Sequence, residues 1–163
     1  MAEYFKLPFS NQQRYIEIKL SQPNGSTGGA AATNATTGGS EIICCVDTSG
    51  SMAGSPIKNV CEVLRDIYQR TLKDYRLFTY NTQTDTKRTL KTLSEQKGDL
   101  QANGGTSFAS VFTAIKDYLL QNSSSKKATT FIFMTDGQDN DPQGVALKKS
   151  VEMLKLVLSG MTN

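Results

Sequence analysis

The sequence predicts an α/β fold, a mainly parallel, doubly wound sheet with an antiparallel edge strand and helices on both faces. Three observations lead there. Two continuous apolar runs, Ile42-Ile43-Cys44-Cys45-Val46 and Thr129-Thr130-Phe131-Ile132-Phe133-Met134, have the unbroken hydrophobicity of strands covered on both sides. Each run is closed by an acid, Asp47 in one case and Asp136, one residue on, in the other. Between and after the runs, apolar residues recur at helical rather than strand spacing. The 163 residues suit one domain, because single domains usually hold about 100–200.

Taken in order, Ile16-Glu17-Ile18-Lys19-Leu20 alternates apolar and charged side chains, the period-two mark of a half-buried strand, and reads as an edge or accessory strand within residues 1–22. Residues 23–40 shift to Gly, Ala, Thr, Asn and Ser without charge or periodicity, so burial cannot offset their ordering entropy, and a flexible loop is expected. Asn24-Gly-Ser26 and Asn34-Ala-Thr36 match a glycosylation acceptor pattern, but short matches of this kind arise by chance. The domain proper is placed at 41–163. After the first apolar run, Ser55 and Pro56 supply a helix N-cap and first-turn proline. Ile57, Val60, Cys61, Leu64, Ile67, Tyr68 and Leu72 then define a helix over about 56–73. Residues 76–80 and 86–93 read as two further strands, a hairpin around the polar turn 81–85. Gly104-Gly105 precedes Thr106, after which Phe108, Val111, Phe112, Ile115 and Leu119 mark a second helix to about residue 121. Beyond the strand at 129–134, Asp141-Pro142 caps a last helix whose Val145, Leu147, Val151, Leu154 and Leu158 supply a buried side. The whole pattern is Rossmann-like.

Composition excludes several function classes. Hydrophobic content of 37% and charged content of 20% are ordinary for a soluble domain, and no apolar run approaches the roughly 20 residues that cross a bilayer. The net charge of +3 comes from 18 basic and 15 acidic residues scattered along the chain, without the clustered stripe that nucleic acid requires. Residues 1–10 lack the basic and apolar regions of a signal peptide, and the three cysteines have no framework spacing, so a cytoplasmic location is the expectation. Cys44 and Cys45, neighbours on a strand, should face opposite sides and stay unbridged, and Cys61 belongs to a helix core. There is no histidine, which removes Ser-His-Asp triads, imidazole acid/base catalysis and His-ligated zinc from this chain's own repertoire.

What remains is oxygen chemistry. In an open α/β sheet ligands bind beyond the carboxyl ends of the strands, where the winding switches direction, and Asp47 and Asp136 end two such strands. Asp47-Thr48-Ser49-Gly50-Ser51 sets a carboxylate and two hydroxyls within one turn, Thr106 adds a hydroxyl on a tight loop, and Thr135-Asp136-Gly137 adds a second acid. Hard cations such as Mg2+, Mn2+ or Ca2+ select oxygen donors of this kind. Two acids and three neutral hydroxyls leave such an ion electron-poor and receptive to an outside carboxylate. Each piece alone also fits a plainer role: Asp47 with Ser49 as a turn, Thr106 as a helix cap, Asp136 as a turn with Gly137. Asp139-Asn140-Asp141-Pro142-Gln143-Gly144 looks like the start of a calcium loop, yet Ser150 stands where the bidentate Glu belongs, and helix capping is the better reading.

Together, Asp47-x-Ser49-x-Ser51, Thr106 within Gly-Gly-Thr-Ser, and Thr135-Asp136-Gly137 resemble the metal-ion-dependent adhesion site of von Willebrand factor A domains. The resemblance covers residues 41–163. It implies a metal-dependent module that grips an acidic side chain of a protein partner, with Ser49 and Ser51 as direct ligands, Asp47 and Asp136 acting largely through water, and Thr106 joining in one state. It further implies two more strands and a helix beyond residue 163, so the chain reads as a C-terminally shortened version. Otherwise the sheet is completed by a partner or by Arg14–Leu20, and if the strand at 129–134 lies at an edge, its unpaired backbone groups invite oligomerisation. The alternatives are a metal-independent scaffold within an intracellular complex and, behind it, an Mg2+-dependent phosphohydrolase, which would want an acid rather than Ser49 two residues after Asp47.

Overall fold

A computed structural model of the protein describes residues 3–5, 14–20, 41–124, 129–137, 139–141 and 143–160, with the backbone alone at 3–5, 14–20, 159 and 160. In chain order the elements are β1 (Glu3–Phe5), β2 (Arg14–Leu20), β3 (Glu41–Asp47), α1 (Ser55–Thr71), β4 (Arg76–Tyr80), β5 (Thr84–Thr89), α2 (Leu90–Glu95), α3 (Phe108–Gln121), β6 (Thr129–Thr135) and α4 (Val145–Gly160). The strands form one sheet in the order β1-β2-β6-β3-β4-β5. As expected of the apolar runs, β6, β3 and β4 are parallel at its centre, and β5 closes one side antiparallel to β4.

Side-chain alternation along β3 divides the core in two. Cys44 and Val46 face a layer with Ile57, Val60, Cys61 and Leu64 of α1 and with Leu90 and Leu93 of α2. Ile43 and Cys45 face the other layer, with Val111 and Ile115 of α3 and Leu154 of α4. Helices therefore cover both faces, the doubly wound, Rossmann-like α/β arrangement. Burying one side chain such as Leu64, which has no exposed surface, contributes ~1.5–3 kcal/mol. Cys44 and Cys45 lie on opposite faces and all three cysteines are free.

Three expectations and one plainer alternative, Thr106 as a helix cap, need correction. The strand placed at 86–93 is β5 followed at once by α2, whose Leu90 and Leu93, three residues apart, turn into the core beside α1. The cap of α1 is Gly54, at φ 84° and ψ −128°, rather than Ser55. The cap of α3 is Ser107, whose hydroxyl accepts from the Ser110 amide, so Thr106 stays outside the helix. Finally, β6 is not an edge: β2 runs antiparallel along its full length, Arg14 opposite Thr135 and Leu20 opposite Thr129, and β1 lies outside β2. The backbone groups expected to recruit a second copy are paired within the chain. Residues 23–40, read as a loop, lie outside the described residues. Among the described residues no helix is long and apolar enough to cross a membrane.

Candidate functional site

The chain runs from β3 outward to β4 and β5, then returns to place β6 on the opposite side of β3. The direction of winding thus switches between β3 and β6, and the loops beyond their carboxyl ends splay apart to leave a crevice. A pocket of about 210 Å3 occupies it, lined by Ser49, Ser51, Gly104, Gly105, Thr106, Asp139 and Asn140.

Asp47 ends β3 beneath this pocket, with no exposed surface. One carboxylate oxygen accepts from the Ser49 amide at 2.8 Å, the other from the Thr135 hydroxyl at 2.7 Å. The acid therefore ties the turn after β3 to the end of β6. Ser49 is 1% exposed and Ser51 is exposed, and their hydroxyl oxygens stand 3.0 Å apart at the pocket. The short 3-10 turn Gly50–Met52 that carries Ser51 leads into α1.

The second wall comes from the loop before α3. Its backbone is pinned to the first by Asn103 N donating to Thr48 O at 2.8 Å and Gly50 N donating to Gly104 O at 2.9 Å. Thr106, 4% exposed, is held to the loop after β6: its amide donates to the Asn140 side-chain oxygen, and its carbonyl accepts from the Asn140 amide at 3.0 Å. Gly105 permits this approach, since a Cβ there would meet Asn140 Oδ1 at 2.9 Å.

Of the five residues named from sequence, the structure brings Ser49, Ser51 and Thr106 to the pocket, and Asp47, outside its lining, is bonded to the Ser49 amide. Asp136 is exposed and is not among the lining residues. Its charge is felt instead at Tyr80. Burial pushes that phenol well above its ordinary range, the Thr135 hydroxyl opposes the shift, and the negative charges of Asp47 and Asp136 add to it. Sequence reasoning missed Asp139 and Asn140. Two acids in six residues signalled only a cap, and Asp141 does cap, its Oδ2 accepting from the Ala146 amide at 2.7 Å.

The donors present are hydroxyls, a carboxylate and amide oxygens, the set a hard cation prefers. Two observations fit a cation there. The fully buried Asp47 carboxylate has no cationic partner among the described residues, and one Asp139 oxygen is buried without a hydrogen-bond partner among them. Both arrangements are costly for a carboxylate unless positive charge compensates. Among the described residues no group of three or more His, Cys, Asp or Glu side chains is placed to hold a metal ion. No family model matches the chain, and no curated protein matches it either.

Proposed function

We propose that the protein is a metal-dependent binding module that grips an acidic side chain of a partner protein through a divalent cation, Mg2+, Mn2+ or Ca2+, held over Asp47. The observation that carries this reading is that Ser49, Ser51 and Thr106, from two separate loops, line one pocket at the switch point of the sheet, with the two serine hydroxyls 3.0 Å apart. In this reading Ser49, Ser51 and Thr106 hold the ion directly, and Asp47 fixes the turn that presents the two serines. When bound, the ion supplies an electrophilic centre with too few anionic ligands, open to an outside carboxylate. The resemblance to the adhesion site of von Willebrand factor A domains supports the same choice of ligand. No histidine is present and no lysine or arginine lines the pocket, so a nucleophile there lacks an evident base, which weighs against the phosphohydrolase alternative.

Isothermal titration of Mg2+ or Mn2+ into the wild type, Asp47→Ala and Ser51→Ala tests the proposal. Saturable binding by the wild type and its loss in both variants is the expected result. Ser51 is exposed and its replacement is not expected to disturb folding. Equal binding by all three proteins overturns the assignment, and partner capture unaffected by chelator favours the scaffold alternative.

A further inference from the structure

The segment after β6 carries three acids in six residues, and the structure gives each a different task. Asp136 is exposed, outside the pocket lining, and its charge falls on Tyr80. Asp141 accepts from the Ala146 amide at 2.7 Å in the first turn of α4. Asp139 lines the pocket together with Ser49, Ser51 and Thr106. Its Oδ1 accepts from the Asp141 amide at 3.3 Å, while Oδ2 is buried and has no hydrogen-bond partner among the described residues. Native structures pair nearly every buried polar atom, so a carboxylate that lines this pocket and has one oxygen orphaned points to a ligand.

We infer that Asp139 supplies a direct carboxylate ligand of the cation, whereas the family resemblance has Asp136 acting largely through water. The inference rests on the reading that this pocket takes a divalent ion, and adds which acid holds it. The placement of Asp139 is built into neighbouring residues. Asn140 is clamped to Thr106 by two hydrogen bonds, one through its backbone amide and one through its side-chain oxygen, and the missing Cβ of Gly105 leaves room for that clamp. Asp139, next to Asn140 in the chain, is thereby tied to the loop that carries Thr106, and both residues line the pocket. Both oxygens of Asp47 already accept a hydrogen bond, from the Ser49 amide and from the Thr135 hydroxyl, whereas Oδ2 of Asp139 accepts none among the described residues.

The test uses Mn2+ alone as probe, titrated into the wild type, Asp139→Asn and Asp136→Asn and followed by electron paramagnetic resonance of the free ion, with melting curves recorded with and without Mn2+. Asp139→Asn is expected to weaken Mn2+ binding by at least ~10-fold and to abolish the rise in melting temperature that Mn2+ gives the wild type, whereas Asp136→Asn stays within about 3-fold of wild type. If the wild type binds no Mn2+, the cation reading fails and this inference with it. If the wild type binds and Asp136→Asn loses as much affinity as Asp139→Asn, or more, the assignment to Asp139 alone is overturned while the cation reading stands. Early melting of metal-free Asp139→Asn also counts against it, because asparagine keeps the oxygen that accepts from Asp141 and the other oxygen has no protein partner to lose.

Discussion

At the scale of single residues, the site depends on what holds Asp47. Its Oδ2 leans on the Thr135 hydroxyl, and a buried carboxylate deprived of a donor loses about 1–3 kcal/mol. Thr135→Val is therefore expected to lower unfolding stability by that amount in urea titrations and to weaken cation binding. A second residue-scale prediction concerns Cys44, whose burial pushes its thiol up to about 11. Because the folded protein holds the proton more tightly than the unfolded chain, the contribution is fully present below the ordinary thiol range near pH 9. It is lost as pH rises toward 11. Across that window the wild type is expected to lose ~2 kcal/mol more stability than Cys44→Ala, measured by chemical denaturation at each pH. Residue chemistry was also the most legible level in the sequence. Hydroxyls next to a strand-ending acid announced Ser49 and Ser51, a hydroxyl after Gly104-Gly105 announced Thr106, and strand alternation separated Cys44 from Cys45. Asp139 was not legible, because nothing in its spacing distinguishes an acid that turns into a pocket from one that caps a helix.

At the scale of elements, helices and strands were read well where they are long and apolar, and poorly at short, threonine-rich joints. The segment Thr86-Lys87-Arg88-Thr89-Leu90 looks β-prone, yet Thr89 starts α2 by a reciprocal cap in which its hydroxyl accepts from the Thr92 amide and the Thr92 hydroxyl accepts from the Thr89 amide. A threonine in the position usually held by Glu or Gln hides this capping box from a pattern search. Thr89→Ala is expected to destabilise the fold by about 1 kcal/mol, read as a lowered denaturation midpoint, without affecting cation affinity. Gly105→Ala should do the opposite. Its new Cβ would press on the Asn140 side chain and loosen the clamp between Thr106 and the loop after β6, so reduced Mn2+ affinity with little loss of stability is the expected outcome of paired titration and melting experiments.

At the scale of the whole molecule, the decisive feature is that β2 lies along β6 and β1 along β2. Of the two completions of the sheet that the sequence allowed, a partner or Arg14–Leu20, the strand from the amino-terminal end of the chain is the one that covers β6. Removing residues 1–22 would expose a seven-residue, mostly apolar strand with unpaired amides and carbonyls. The shortened protein is expected to self-associate with rising concentration in light scattering to a greater extent than the full chain. Identical behaviour of the two would mean that β2 does not protect that edge.

By itself the sequence determined the α/β class, the two buried strands, the helices that cover them and the residue types able to meet a cation, because each follows from local periodicity, capping and side-chain chemistry. The tertiary structure alone decided which distant segments meet. Pairing of β2 with β6 joins residues more than a hundred positions apart, and the clamp between Asn140 and Thr106 spans 34. Such contacts depend on the geometry of the assembled sheet and its loops, and no local pattern along the chain encodes them. For that reason the hydroxyls of the site could be named in advance, and the place of Asp139 among them could not.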